Sequence, residues 1–131
     1  MTADIHIYNP EALGAPLGQY SHVTRVKATE FLFIAGSLSA DEKGNIIGAD
    51  LDFEAQCHQV FRNIEEALAS ADAGWANVIQ FTTYLLNSQW IPRFIDFRLQ
   101  NFATMFPDGK YPPNTLLIVD RLVQEPFLVE V

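Results

Sequence analysis

The sequence predicts an α+β domain in which two helices cover one face of a β-sheet. Two segments repeat apolar residues at helical spacing, and short segments rich in β-branched and aromatic residues lie on either side of them. In chain order the predicted elements are β-β-α-β-α-β-β. The length of 131 residues indicates one domain spanning residues 1–131, and a hydrophobic content of 49% is sufficient for a core.

The first two predicted strands form a hairpin. Residues 9–18 contain two prolines and two glycines and are predicted to be a loop. Residues 23–28 follow as a strand, and residues 31–35 (FLFIA) as a second strand after a two-residue connection. A connection this short is typical of a hairpin.

Residues 50–73 carry the clearest helical pattern. Their apolar stripe, with steps of three and four, consists of Phe53, Cys57, Val60, Phe61, Ile64, Leu68 and Ala71. Asp50, Asp52 and Glu54 suit the N-terminal end, where carboxylates satisfy free N–H groups. Gly74 is the expected stop.

A second helix is predicted to end at about residue 106, with Pro92 in its first turn. Its expected inward residues are Phe94, Ile95, Leu99, Phe102 and Phe106. Strands are predicted on both sides of this helix, at residues 78–86, 115–120 and 127–131.

Charge and composition exclude several classes of function. Eight Lys and Arg residues against 16 Asp and Glu residues give a net charge of −8, and the cations are scattered. Binding to nucleic acid or to an anionic membrane is therefore disfavoured. The sequence contains no G-x-G-x-x-G, P-loop, H-E-x-x-H or G-x-S-x-G motif, so a nucleotide cofactor and a metalloprotease activity lose their main support.

The cellular setting is predicted from what the chain lacks. Its one cysteine, Cys57, has no disulfide partner, which indicates a reducing compartment. Neither a signal-peptide pattern nor an apolar run long enough for a membrane span is visible. We therefore expect a cytoplasmic protein.

Two strand segments are apolar on both sides, residues 31–34 and 116–119. Two helices cover only one face of a sheet, so the other face needs a second cover. Self-association with sheet faces packed between subunits would supply it. The alternative is that some of these residues lie on a mobile N-terminal flap.

Two charged residues in apolar surroundings are candidate site residues. Glu130 is the sole charge in the segment FLVEV and lies either on a solvent-facing edge or in a cleft, where it could orient or deprotonate water. Arg98 stands among phenylalanines on the second helix. Its guanidinium either holds a substrate carboxylate through two hydrogen bonds or points outward to an acid such as Asp96.

Other polar residues have more ordinary interpretations. Tyr20 follows the Pro/Gly loop and either lines a cleft or plugs the edge of the core, and His22 beside it suits a polar contact in a cleft. The stiff Tyr-Pro-Pro entry to the fifth strand holds Asn114 in a fixed direction. Cys57 lies in the apolar stripe, which favours a small buried hydrophobe over a nucleophile.

Taken in order, these segments resemble the Rid (reactive intermediate deaminase, or YjgF) family over nearly the whole chain. Residues 18–22 (GQYSH) resemble the family's G-P-Y-S-Q loop, and residues 33–37 (FIAGS) its strand ending in S-G-Q. Residues 54–64 resemble E-x-Q…N-[IV], and residues 128–131 (LVEV) a V-E-I-E-like tail. The strand at residues 78–86 resembles V-V-K-x-T-V-F-L, with Gln80 at the lysine.

The resemblance implies a chorismate-mutase-like fold and a homotrimer whose sheets form a central barrel with clefts between subunits. Active members hydrolyse enamines and imines to a keto acid and ammonia, without metal or cofactor. By the same resemblance, Glu130 corresponds to a water-positioning glutamate and Tyr20 to a cleft tyrosine. Backbone groups near Gly36 and Ser37 would contact the substrate.

Two positions depart from the family pattern. Active members carry an arginine that binds the substrate carboxylate where this chain has Asn114, and an asparagine on the second helix where it has Arg98. Either the cationic contact has moved to Arg98, or the substrate carries no carboxylate. The sequence thus favours a deaminase of small imines or enamines, and the alternative is a non-catalytic, ligand-binding regulatory trimer. A ribonuclease activity, also attributed to relatives, conflicts with the scattered cations.

Overall fold

The computed structural model describes residues 3–131 and confirms the α+β class. The strands and helices, in chain order, are β1 (Ala3–Tyr8), β2 (Val23–Ala28), α1 (Phe53–Ala69), β3 (Phe81–Leu85), α2 (Ile91–Met105), β4 (Asn114–Ile118) and β5 (Val129–Glu130). The predicted order β-β-α-β-α-β-β therefore holds, although its first two strands are not the two that the sequence suggested. The last three strands are shorter than predicted.

The strands form two sheets. β1 and β2 make an antiparallel hairpin, and the second sheet has the order β4-β3-β5. β3 is parallel to β4 and antiparallel to β5. A parallel neighbour requires a long crossover connection, which α2 provides between β3 and β4.

The predicted strand at residues 31–35 is wrong, because β2 pairs with β1 instead, from Ala3 opposite Ala28 to Tyr8 opposite Val23. Residues 29–36, all within the described part of the chain, form no strand. Phe31 is 51% exposed and Phe33 is 92% exposed. A strand here would gain little from burial, since one chain supplies no layer to cover these rings.

β1 was not predicted, although its sequence contains a signal for it. Ile5 and Ile7 alternate with Asp4 and His6, the pattern of a half-buried strand. The two isoleucines are partly buried and the two polar residues are exposed. The alternation spans only a few residues beside the Pro/Gly loop, so it is a weak signal for a strand.

Helix α1 lies inside the predicted range and ends earlier. Asp52 caps its N-terminus by accepting a hydrogen bond from the Ala55 N–H at 3.1 Å. At the other end, the Asp72 N–H donates to Ala69 O and the Ala73 N–H to Leu68 O, both at 3.0 Å. These two bonds form a Schellman motif, in which the residue after the helix adopts a left-handed conformation. Asp72, with a φ of 54°, takes that place instead of the expected Gly74.

Helix α2 presents a different face from the one predicted. Phe94, Phe102 and Phe106 are buried as expected, but Ile95 is 37% exposed and Leu99 is 56% exposed. Phe97 and Arg98 are buried in their place. The stripe through residues 94, 97, 98 and 102 fits the helical period equally well, and Phe97 packs on Phe61 with ring centroids 5.1 Å apart.

A buried glutamine attaches α1 to the segment that leads into β5. The Gln56 amide donates to Pro126 O at 2.8 Å and to Gly48 O at 3.0 Å, and its oxygen accepts from the Leu128 N–H at 2.8 Å. Gln56 is fully buried. These bonds fix the chain two residues before Glu130.

Candidate functional site

Glu130 lies on the sheet face that points away from the helices. In β3, Phe81, Thr83 and Leu85 are buried toward the helices, whereas Tyr84 is half-buried on the other face. Glu130 is the cross-strand partner of Tyr84. Cross-strand partners project to the same side, so the half-buried Glu130 carboxylate shares that side with the Tyr84 ring.

The Glu130 carboxylate also lies directly against Gly36. A Cβ at Gly36 would overlap Glu130 Oε1 and lie 2.9 Å from its Cδ. Next to it, Ser37 and Val131 exchange backbone hydrogen bonds of 2.8 and 3.2 Å. Three sequence-predicted site residues, Gly36, Ser37 and Glu130, are therefore together, and the absence of a side chain at Gly36 is what gives the carboxylate its place.

An open cleft of about 390 Å³ lies between the hairpin, residues 30–36 and β3. Its lining includes Gly36, Tyr84 and Val131, which are neighbours of Glu130, but not Glu130 itself. The rest of the lining is largely apolar and includes Ile5, Val26, Phe31, Ile34 and Val78. A space of this size suits a small molecule with an apolar part.

Arg98 is buried, with 6% of its surface exposed. Its guanidinium carbon lies 5.2 Å from the centroid of the Phe94 ring, and Nη2 lies 3.8 Å from the point where a Cβ would stand at Gly18. Nε and Nη1 are buried without a hydrogen-bond partner among the described residues. The outward pairing with Asp96 that the sequence allowed is not formed.

Burial lowers the pKa of the Arg98 guanidinium from its ordinary value, and Tyr20 is the neighbour that opposes this shift. The ion pairs of the described residues, Arg93–Glu54 and Arg121–Glu125, do not involve Arg98. A buried cation without an acidic partner is unfavourable, so this guanidinium is a natural binding group for an anion.

The loop at residues 18–22 brings Gly18 and Tyr20 beside Arg98. The Tyr20 hydroxyl accepts a hydrogen bond from the Leu17 N–H at 3.3 Å, and the Tyr20 and His22 rings meet edge to face at 6.1 Å. The His22 N–H donates to Asn9 Oδ1 at 2.8 Å, whereas its Nδ1 is buried without a partner in residues 3–131. Tyr20 and Arg98 thus form a second group of predicted site residues.

Asn114 stands apart from both groups. Its Oδ1 accepts a hydrogen bond from the buried Thr83 hydroxyl at 2.8 Å. Asn114 is the register partner of Phe81, which places it on the helix-facing side of the sheet, opposite to Glu130. Within one chain, the structure therefore does not bring Asn114 and Glu130 together.

Neither Cys57 nor a metal-binding cluster belongs to these two groups among the described residues. Cys57 is fully buried, and this burial raises the pKa of its thiol far above the ordinary range. Among residues 3–131, no cluster of three or more His, Cys, Asp or Glu side chains is suited to hold a metal ion. Within the same residues, no helix has the length and apolarity of a membrane span.

Sequence reasoning missed Tyr84, which is the strand partner of Glu130. Its signal was available only from the pairing of β3 with β5, because residue 84 and residue 130 are far apart in the chain. The backbone of Gly18 lies against Arg98, a contact that the motif at residues 18–22 did not predict.

Comparisons with known proteins agree on one family. The family described as Endoribonuclease L-PSP matches residues 11–131. A RutC family protein of Synechocystis sp. is 30% identical over 119 residues, which cover 89% of this chain and 85% of that protein. A RutC family protein of Pyrococcus horikoshii is 34% identical over 119 residues, covering 88% of this chain and 85% of that protein.

Solved structures give the same result. A structure of unknown function from Yersinia pestis, YyfB of the Rid protein family, aligns with a TM-score of 0.84 at 25% identity, covering 96% of this chain and 93% of that one. RidA from an Antarctic Psychrobacter sp. aligns with a TM-score of 0.66 at 26% identity, covering 88% and 86% of the two chains.

Proposed function

Because this chain belongs to the Rid (YjgF) family, described also as Endoribonuclease L-PSP, we propose that it hydrolyses small reactive imines or enamines. The products are ammonia and a carbonyl compound, and the reaction uses no metal or cofactor. The observation that carries the proposal is the Glu130 carboxylate, half-buried against Gly36 beside a cleft of about 390 Å³.

Glu130 acts as the general base. It takes a proton from water while the water oxygen bonds to the imine carbon. The π electrons of the C=N bond move to nitrogen, which takes up the proton that Glu130 removed, so the carboxylate is regenerated. The resulting carbinolamine passes its hydroxyl proton to nitrogen; the C–N bond breaks and ammonia leaves. Positioning and proton transfer suffice for such a reactive substrate.

Arg98 supplies the contact for the acidic end of the substrate. Its Nε and Nη1 have no partner among the described residues, and a carboxylate could accept a parallel pair of hydrogen bonds from Nη2 together with either of them. Tyr20 forms a wall beside it. Asn114, an uncharged amide already bonded to Thr83, makes at most a neutral contact. Backbone groups of Gly36 and Ser37 bind the reacting end.

We infer that two copies complete each site in a homotrimer. The Glu130–Gly36 group and the Arg98–Tyr20 group are described by separate contacts in one chain. Residues 31–34 are exposed and apolar, which supports an interface along this segment. A cleft between copies would place the carboxylate of one chain opposite the guanidinium of another.

The test is ammonia release from imines generated freshly in the assay from several amino acids. Glu130→Gln keeps the shape of the side chain and removes its basicity, so we expect the rate to fall at least about 100-fold. Glu65→Gln, on the exposed face of α1, is the matched control and should leave the rate unchanged. Equal rates for Glu130→Gln and the parent would refute catalysis and leave the ligand-binding trimer as the function.

The word endoribonuclease in the family description does not lead us to propose RNA cleavage. Of the eight cations, Arg98 is buried and Arg93 and Arg121 are paired with acids. Few positive charges are left to neutralise phosphates on a chain of net charge −8.

A further inference from the structure

We propose that the Tyr84 hydroxyl contacts the substrate beside Glu130 and donates a hydrogen bond to its reacting nitrogen or oxygen. This inference rests on the proposed function and adds a residue to it. Neither the sequence motifs nor the comparisons assign a role to Tyr84.

Strand register places Tyr84 beside Glu130. Tyr84 faces Glu130 across β3 and β5, and the next pair, Leu85 and Val129, is fully buried on the helix side. Cβ atoms of directly opposite residues lie roughly 4.5–5.5 Å apart. The Tyr84 ring and the Glu130 carboxylate therefore start side by side on the sheet face away from the helices.

Tyr84, Glu130 and Gly36 form a row across three neighbouring segments. Ser37 pairs with Val131, so residues 36–37 run along the edge of β5 that β3 does not occupy. Glu130 consequently lies between Tyr84 on one side and Gly36 on the other. Tyr84 and Gly36 both line the cleft of about 390 Å³, so a molecule in that cleft next to Glu130 meets the Tyr84 ring as well.

The side chains of Tyr84 and Glu130 are chemically complementary. An ionised carboxylate only accepts hydrogen bonds, whereas a phenol also donates one. The addition of water to an imine needs an acceptor for the proton of the attacking water and a donor for the nitrogen that gains electrons, and Glu130 and Tyr84 provide one of each. In the family strand motif V-V-K-x-T-V-F-L, phenylalanine stands where this chain has Tyr84. The hydroxyl is therefore a feature of this chain.

Tyr84→Phe is the decisive variant, because it removes the hydroxyl and keeps the ring. We expect kcat for imine hydrolysis to fall roughly tenfold, as for the loss of one hydrogen bond made in the transition state, with KM and the unfolding midpoint little changed. Tyr111→Phe removes a phenol packed on Phe102 and Phe106 and is the matched control. It should behave like the parent.

A double-mutant cycle separates the possible results. If Tyr84 and Glu130 act on the same molecule, the effects of Tyr84→Phe and Glu130→Gln on kcat are not additive. A loss of activity in Glu130→Gln together with parental kcat in Tyr84→Phe would overturn the Tyr84 role alone. Parental activity in both variants, or a parent that neither hydrolyses imines nor binds pyruvate in calorimetry, would reject both proposals.

Discussion

Arg98 shows how the environment of one residue gives it a role. The residue is 6% exposed, its guanidinium lies over the Phe94 ring, and Nε and Nη1 have no hydrogen-bond partner within residues 3–131. Hydrogen bonds to a charged group contribute about 1.5–3 kcal/mol each, so leaving them unmade is costly. An anionic ligand at the Gly18–Tyr20 loop would supply the missing bonds and charge.

Replacing Arg98 with Met should therefore separate binding from stability. Arg98→Met removes the buried charge and retains an apolar stem, so we expect the free energy of unfolding to stay the same or rise by about 1 kcal/mol. Affinity for a small keto acid such as pyruvate should fall at least about tenfold in calorimetry. Arg62→Met, exposed on α1, is the control. Unchanged pyruvate affinity in Arg98→Met would mean that the carboxylate is bound elsewhere.

Gly36→Ala tests whether activity depends on the position of the Glu130 carboxylate against Gly36. The new methyl group would overlap Glu130 Oε1, and since this carboxylate ends a flexible side chain, it would swing aside with little loss of stability. We expect kcat/KM to fall at least about tenfold, with a nearly unchanged thermal midpoint. Gly74→Ala meets no atom within 4 Å and should retain activity. Full activity in Gly36→Ala would show that the position of Glu130 is not critical.

Individual site residues were predictable to different degrees. A lone carboxylate in the segment FLVEV drew attention to Glu130, and Gly36 turned out to contact it. Whether Arg98 points inward could not be decided from spacing, since residues 95 and 99 offered a competing apolar face. The Asn114–Thr83 bond and the pairing of Tyr84 with Glu130 depend on strand register, which one sequence does not specify.

At the scale of elements, one amide side chain joins α1 to the approach to β5. Gln56→Met conserves volume but leaves Pro126 O and the Leu128 N–H without their partner, whereas Gly48 O keeps a bond from the Asp52 N–H at 3.3 Å. We expect urea denaturation to show a loss of about 3 kcal/mol, since each buried unsatisfied group costs about 1–3 kcal/mol. Gln100→Met on the exposed face of α2 should cost far less. Equal stabilities of the two variants would contradict this role of Gln56.

Helices were predicted better than strands, for a physical reason. A helix satisfies its own backbone, so the apolar stripe from Phe53 to Leu68 and the Asp52 cap are nearly sufficient to define α1. A strand needs a partner. Residues 31–35 have strand composition, yet β2 pairs with Ala3–Tyr8, and only tertiary structure decides between two such partners.

For the whole molecule, the exposed apolar segment at residues 31–34 predicts self-association. Sedimentation velocity at micromolar concentration should give three times the chain mass of 14.7 kDa. Phe33 is 92% exposed, and Phe33→Glu would place a charge in the interface, so we expect smaller species. Lys43→Glu, in an exposed turn, makes the net charge more negative by two units, against one for Phe33→Glu, and should not change the mass. A parent that sediments as a single chain would contradict the trimer.

The aromatic core also determines what an optical experiment can report. Trp90 stacks on Phe53 at 5.1 Å, and Trp75 lies 6.0 Å from Phe61 and from Phe106. Neither indole belongs to the Glu130–Gly36 or the Arg98–Tyr20 group. Tryptophan fluorescence should therefore report unfolding of the core and change little when a ligand binds. Tyrosine absorbance is the better spectroscopic measure of ligand binding.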